Sequence, residues 1–433
     1  MPVSAAPDLG AASTDNPVLG QLALGYSPMI DRHRQITALR LTVFPLRPDT
    51  PPQAADLLAA LLQLWPADAG RLSLNIVSEA LLAAVLQADV APNLMLEVPA
   101  FMAADLACSE ALVAQHLRGI SLLIKGRPLA PLPRHVLPCF AYSIIDLADE
   151  RRDGLPPLGG IVRTIPHVQS GVRTIDQMTD AFGRNAMAVL GWPIDDRPAV
   201  ASTAGGQPPG RAAGSQPSGR TAGSAAPRQT QPELSAVIEL INRVDRQEPV
   251  DRLEAVMKTD PTMAFRLMRY INAPAFGLGM EVTSFRHAIL LIGYERLKRW
   301  LALLLISGSR DPNLKPVMYA AVRRGLVMEE LGRDAGCDAD KRAELFICGV
   351  FSLLDRLMRQ PFTELLASIP TSDAVRAALV GGSGPLQPYL ALVQAVESAV
   401  LPDIRAGADA LMMVVPAVNR AVLRALLAAR QLD

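Results

Sequence analysis

Residues 251–307 read DRLEAVMKTDPTMAFRLMRYINAPAFGLGMEVTSFRHAILLIGYERLKRWLALLLIS, and they decide the C-terminal half of the fold. Asp260-Pro261 supplies a side-chain acceptor for a helix N-cap, followed by a residue whose φ is already helical. Behind it Ala264, Leu267, Met268 and Ile271 recur at i, i+3, i+4 and i+7, while Arg266 and Arg269 face away. Ser284 starts a second helix in which Phe285, Ala288, Ile289 and Ile292 repeat the spacing, and Gly293 stops it. A third helix, 294–306, turns Leu297, Trp300, Leu301 and Leu304 inward and Glu295, Arg296, Lys298 and Arg299 outward. Three successive helices start an all-helical domain.

The same residues resemble a known family. D-P-x-x-x-x-R-L-M-R-Y-I-N-A, then S-F-x-x-A-I-x-x-I-G, then L-K-R-W are similar at these intervals to the HDOD domain, a helical relative of the HD phosphohydrolases. Lys298-Arg299-Trp300 is closest to the subgroup in which HDOD follows an EAL domain. The resemblance implies such a domain upstream.

At 433 residues the chain has room for two or three domains, and its 50% apolar content excludes global disorder. No run reaches the ~18 consecutive apolar residues of a membrane span. Residues 1–20 lack a basic start and an apolar core, so a loose N-terminal extension is expected, not a signal peptide. Lys+Arg and Asp+Glu are both 42, so no net field draws in nucleic acid or anionic lipid. Cys108, Cys139, Cys337 and Cys348 have no zinc or C-x-x-C spacing and are expected as free thiols. A cytoplasmic, cofactor-free protein is the expectation, with neither membrane nor nucleic acid among its partners.

Residues 21–198 alternate short apolar runs with helical patterns. Strands are expected at 22–26, 38–44, 72–77, 94–98, 121–124, 143–147, 161–165 and 187–190, with helices such as 54–64 and 79–87 between them. This β/α alternation points to a parallel sheet, and periodicity leaves open whether it closes. Gly25-Tyr26-Ser27-Pro28-Met29-Ile30-Asp31, Ser73-Leu74-Asn75-Ile76, Leu96-Glu97-Val98, and Gly171-Val172 with Gln177 resemble successive motifs of EAL domains. That resemblance implies a (β/α)8 barrel of the kind that hydrolyses cyclic di-GMP. Residues 199–231 are dominated by Gly, Pro, Ser, Ala and Gln; they form a linker whose typical span is roughly 30 Å. Residues 232–433 complete an α/β plus all-α chain, a degenerate EAL-like barrel followed by a helical HDOD domain with a C-terminal extension. Two domains on such a tether are expected to move independently.

Family chemistry needs a divalent metal on oxygen ligands at the C-terminal ends of the strands, together with a base for water. Followed position by position, the resemblance puts Arg40, Lys125-Gly126 and Arg173 where the family has carboxylates, and Ile144 where it has a lysine. Asn75 and Glu97 alone keep the residue type of the functional set. Arginine offers no lone pair and stays charged, so the mouth changes sign and repels magnesium. In the helical domain, Leu345–Asp355 resembles the helix carrying the His-Asp pair, with Ser352 and Leu353 in the two positions. His287 stands alone after the linker. No catalytic or metal residue is expected in either half.

Three readings remain. A non-enzymatic adaptor would bind other signalling proteins, using a surface around Arg266, Arg269, Arg296 and Arg299, for which a solvated helix face is the plainer account. A metal-independent sensor would hold cyclic di-GMP on Arg40, Lys125 and Arg173 beside Asn75 and Glu97, since guanidinium and ammonium groups suit phosphates. A residual phosphodiesterase needs a metal site that the sequence does not display.

Overall fold

The computed structural model describes residues 17–128, 132–152, 165–195, 232–257, 285–307, 311–369 and 371–430. Eight strands close into a barrel in chain order: β1 (Leu22–Asp31), β2 (Ile36–Pro45), β3 (Leu72–Ile76), β4 (Leu94–Pro99), β5 (Ser121–Lys125), β6 (Phe140–Asp146), β7 (His167–Ser170) and β8 (Ala188–Leu190). Helices α1 (Ala54–Leu64), α2 (Glu79–Gln87), α3 (Ala100–Ala104), α4 (Leu106–Leu117), α5 (Leu147–Arg152) and α6 (Ile175–Gly183) lie between strands. Seven of the expected strands fall where periodicity placed them. The eighth is His167–Ser170: most of 161–165 lies outside the described residues, and the four-residue strand HVQS is too short and polar to signal itself.

The sheet is not wholly parallel. β1 runs antiparallel to both β2 and β8, while β2 through β8 run parallel. Only residues 32–35 separate β1 from β2, far short of the dozen or so a parallel crossover requires. Asp31 shapes that turn, its Oδ1 accepting from the backbone N–H of His33 and Gln35, both at 2.8 Å, with Arg34 at φ 63°.

The helical region comprises α7 (Pro232–Asp245), α8 (Val250–Met257), α9 (Phe285–Ser307), α10 (Lys315–Asp334), α11 (Ala339–Phe351), α12 (Leu354–Met358), α13 (Phe362–Ser368), α14 (Asp373–Gly381), α15 (Gln387–Ser398), α16 (Leu401–Ala410) and α17 (Val415–Arg430). Helix α9 breaks at Gly293 (φ 73°, ψ 170°), where the sequence placed the stop between two helices. The expected helix from Pro261 lies outside the described residues. Among the described residues no single helix is long and apolar enough to cross a membrane. All four cysteines are free.

Barrel and helices share one apolar core. This corrects the expectation of independently moving domains, and the cause is an edge. β8 is three residues long and meets β1 only at Met29–Asp31, so the first two-thirds of β1 has no strand on that side. An unpaired edge must be covered. The covering is the helical region: Asn419 of α17 accepts from Leu24 N–H (3.1 Å) and donates to the carbonyls of Leu19 (2.9 Å) and Leu22 (2.8 Å). Further along, Trp192 Nε1 donates to the Tyr26 carbonyl at 3.2 Å. Tyr26 meets Trp192 edge-on, with centroids 5.5 Å apart, and Trp192 lies 6.3 Å from Tyr319 of α10. Gly25 allows the approach, because a Cβ there would sit 2.6 Å from that of Ala399. Arg356 Nε also donates to the Ile194 carbonyl (3.1 Å), and Arg405 Nη2 to that of Leu46 (2.9 Å).

Two outcomes are expected. Asn419→Ala leaves buried backbone groups of β1 unpaired and costs on the order of 2–3 kcal/mol; urea unfolding measures it, and a change below about 0.5 kcal/mol would show the bonds are replaceable. A barrel fragment ending at residue 198 exposes the β1 edge with Tyr26, and should aggregate in sedimentation experiments where the full chain stays dispersed.

Candidate functional site

Strand periodicity layers the barrel interior. Met95, Leu123, Ile144 and Val168 face inward with Ala188 and Leu190 to form an apolar floor. Two positions further along their strands stand Glu97, Lys125, Asp146 and Ser170. Together with Arg40 on β2 and Ser73 and Asn75 on β3 they make a polar layer. Above it opens a cavity of about 780 Å³, lined by Arg40, Lys125, Arg127, Asp146 and Ser170 on its polar side and by Phe101 among its apolar walls.

Inside this mouth the charges are matched. Arg40 grips Glu97 with two parallel bonds, Nε to Oε1 at 2.8 Å and Nη2 to Oε2 at 2.6 Å, and Ser73 Oγ donates to Oε1 at 3.0 Å. The Glu97 side chain is fully buried and that of Arg40 is 18% exposed. Lys125 Nζ donates to Asn75 Oδ1 at 2.7 Å, and Asn75 Nδ2 donates to Thr42 Oγ1 at 3.2 Å. Burial pulls the Lys125 pKa down; Glu97 opposes that, Arg40 adds to it, and the net direction is downward. Asp146 accepts from Ser170 Oγ (2.9 Å) and from Ala148 N–H (2.8 Å), where it caps the turn into α5.

Four of the five sequence candidates, Arg40, Asn75, Glu97 and Lys125, therefore meet in one layer. Arg173 does not join them. Its side chain is 74% exposed, is absent from the cavity wall, and pairs with Asp195 at 2.7 Å. Gln177, part of the motif that carried the resemblance, closes a capping box with Thr174 at the start of α6.

A second polar cluster lies where the helices meet the barrel. Arg324 of α10 and Glu397 of α15 form a forked ion pair at 2.7–3.0 Å, with side chains 5% and 4% exposed. Ser352 accepts from Arg324 Nη1 at 3.1 Å and donates to the Gly349 carbonyl at 2.7 Å. Ser352 and Leu353 are both buried, so the position that resemblance gives to a metal-binding pair holds a hydroxyl bonded to a guanidinium beside an apolar side chain. The Tyr26 hydroxyl packs close by, its pKa raised first by burial and then by Glu397. Among the described residues no group of three or more His, Cys, Asp or Glu is placed to hold a metal ion.

Helices α7 to α12 and the start of α13 fall within one known pattern: the HDOD domain family model matches residues 232–364. This region is an HDOD domain. Two curated relatives extend the comparison. YuxH of Bacillus subtilis, which carries no functional description in its name, is 25% identical over 164 residues, covering 37% of this chain. The protein named cyclic di-GMP phosphodiesterase CdgJ, of Vibrio cholerae, is 26% identical over 174 residues, covering 40% of this chain. The chain covers 40% of the length of each. Solved EAL structures also align: an EAL protein from Vibrio cholerae in its c-di-GMP-bound form (15% identity, TM-score 0.28, 40% of this chain and 90% of that one), and the EAL enzyme Bd1971 in its cAMP-bound form (14%, 0.30, 40% and 61%).

In the HDOD domain, Arg266 and Arg269 lie outside the described residues. Arg296 is exposed on α9, and so is Leu290 at 68%. Arg299 is engaged within the domain: it bonds Glu329 at 2.7 Å and stacks 3.9 Å over the ring of Phe346. Sequence reasoning did not find Arg324, Glu397 or Asn419. Each sits in an ordinary amphipathic helix, and its partner is 73 residues or more away.

Proposed function

We propose that this chain is a non-enzymatic regulatory adaptor related to cyclic di-GMP signalling, and that it acts through protein–protein contacts of its HDOD domain. The relation to that signalling is supported by the likeness to a relative named as a cyclic di-GMP phosphodiesterase. One observation carries the loss of catalysis. The only inward carboxylate kept from the functional set, Glu97, has both oxygens committed to Arg40 and one of them also to Ser73. Asn75 is likewise taken up by Lys125. A divalent cation entering this layer would have to displace a guanidinium and sit beside an ammonium, and Coulomb repulsion opposes both. The exposed Leu290 and Arg296 of α9 are the adaptor's candidate contact surface.

The sensor reading draws support from the open cavity with Arg40, Lys125 and Arg127 on its wall. It is weakened by Arg173, which points away, and by Arg40, which is already paired. Calorimetric titration of the full chain with cyclic di-GMP, in magnesium and in chelator, separates the readings. The adaptor predicts no heat and no hydrolysis in either buffer, and a co-purifying protein partner that is lost on Leu290→Asp and Arg296→Glu substitution. Saturable binding that survives chelator and disappears in Arg40→Glu would replace the adaptor with the sensor. Turnover with magnesium or manganese would overturn both.

A further inference from the structure

Residues 1–257 contain a single lysine, Lys125, although twenty arginines surround it in sequence from Arg32 to Arg252. Its position is as unusual as its rarity. It ends β5 inside the mouth cavity, its ammonium group anchored 2.7 Å from Asn75 Oδ1. The cavity beside it, about 780 Å³, is walled by Pro99, Ala100, Phe101, Ala104 and Ile144. Asp146 lines the same space from β6, two residues beyond Ile144, the neighbour of Lys125 in register. An amine set among the apolar walls of a pocket that Arg40, Arg127 and Asp149 also line is a setting for carbonyl chemistry, because partial desolvation favours the uncharged, nucleophilic form.

We propose that Lys125 binds a small aldehyde or ketone reversibly, as an imine, inside the barrel mouth. The nitrogen lone pair attacks the carbonyl carbon, forming a C–N bond while the C=O π electrons move to oxygen. Proton transfer from nitrogen to oxygen gives a neutral carbinolamine. A proton delivered to its hydroxyl then releases water, the nitrogen lone pair closes the C=N bond, and loss of the remaining N–H proton leaves a neutral imine. Solvent entering the open mouth carries these protons. Hydrolysis reverses every step, and no oxidant or reductant takes part. The apolar walls suit a ligand with a hydrocarbon or aromatic body. Burial lowers the pKa of Lys125 in the direction this chemistry requires, with Arg40 reinforcing and Glu97 opposing. The site is a ligand site and goes beyond the adaptor function, which stands or falls on other measurements.

Benzaldehyde is the probe. The full-length protein is incubated with it at neutral pH in sodium cyanoborohydride, which reduces any imine to a stable secondary amine, and labelling is followed by peptide mass spectrometry. Lys258, Lys298, Lys315 and Lys341 are internal controls in the same molecule. Lys125 should label measurably faster than any of them, because burial disfavours its charged, non-nucleophilic form. Lys125→Arg should abolish the fast phase and leave the slow labelling of the other four unchanged. Labelling of Lys125 no faster than that of the control lysines overturns the proposal, and because that measurement is made on the unmodified sequence, it does not depend on any variant folding.

Discussion

Glu397→Ala should destabilise the protein by about 3–5 kcal/mol, the cost of removing one partner from a buried ion pair. Glu397 meets Arg324 through three close contacts, and both side chains are almost wholly buried. Once the carboxylate is gone, Arg324 keeps Ser352 and little else of opposite polarity. It cannot escape by losing its proton: burial pulls its pKa down, but Glu397 pulls it further up, and even without that support a guanidinium remains charged. Replacing both partners, as in Arg324→Leu with Glu397→Leu, should cost less than Glu397→Ala alone, since no charge is then stranded. Urea unfolding of the two single variants and the double variant forms the cycle that tests this. A loss below about 1 kcal/mol for Glu397→Ala would mean that water reaches the pair, which its burial argues against.

The position of the pair makes the measurement informative about more than stability. Arg324 and Glu397 stand beneath Tyr26 of β1, and Ser352 ends the helix that resemblance associates with a lost His-Asp pair. A charge network occupies that place and binds two helices of the HDOD domain, α10 and α11, to α15 beyond it, beside the barrel. Loss of the pair should therefore loosen the whole junction, and the intrinsic fluorescence of Trp192, which packs between Tyr26 and Tyr319, should report it.

What could be foreseen from sequence follows the range of the interactions involved. Short apolar runs located β1 to β6 and β8, because those strands present apolar residues both to the barrel interior and to the outer helices. The break at Gly293 was visible because a glycine ends an apolar stripe. Arg40, Asn75, Glu97 and Lys125 were visible only by alignment to family motifs, and their pairing was not: Arg40 and Glu97 are 57 residues apart, and nothing local says that their side chains share a layer. The antiparallel β1 could have been foreseen from the short 32–35 connection, which periodicity ignores. The docking of helices on β1 could not. It depends on β8 stopping after three residues, and the covering residue, Asn419, arrives 395 residues after the backbone N–H that it accepts.

Arg40→Ala is the second substitution with a large expected effect, about 3 kcal/mol. It sits at the lower end of the range for a broken buried pair because the arginine is 18% exposed while Glu97 is not exposed at all. Two charge-assisted bonds vanish, and Glu97 is left with Ser73 in a layer floored by Met95, Leu123 and Ile144. Arg40→Lys should recover part of the loss and not all of it, since an ammonium supplies charge without the planar fork that meets both carboxylate oxygens. The order wild type, Lys, Ala in thermal or urea stability is therefore the expected result. Equal stability of the Lys variant and the wild type would show that charge alone matters there. A harmless Arg40→Ala would remove the main support for a mouth sealed by its own cations, because Glu97 would then be free to take a partner from solution.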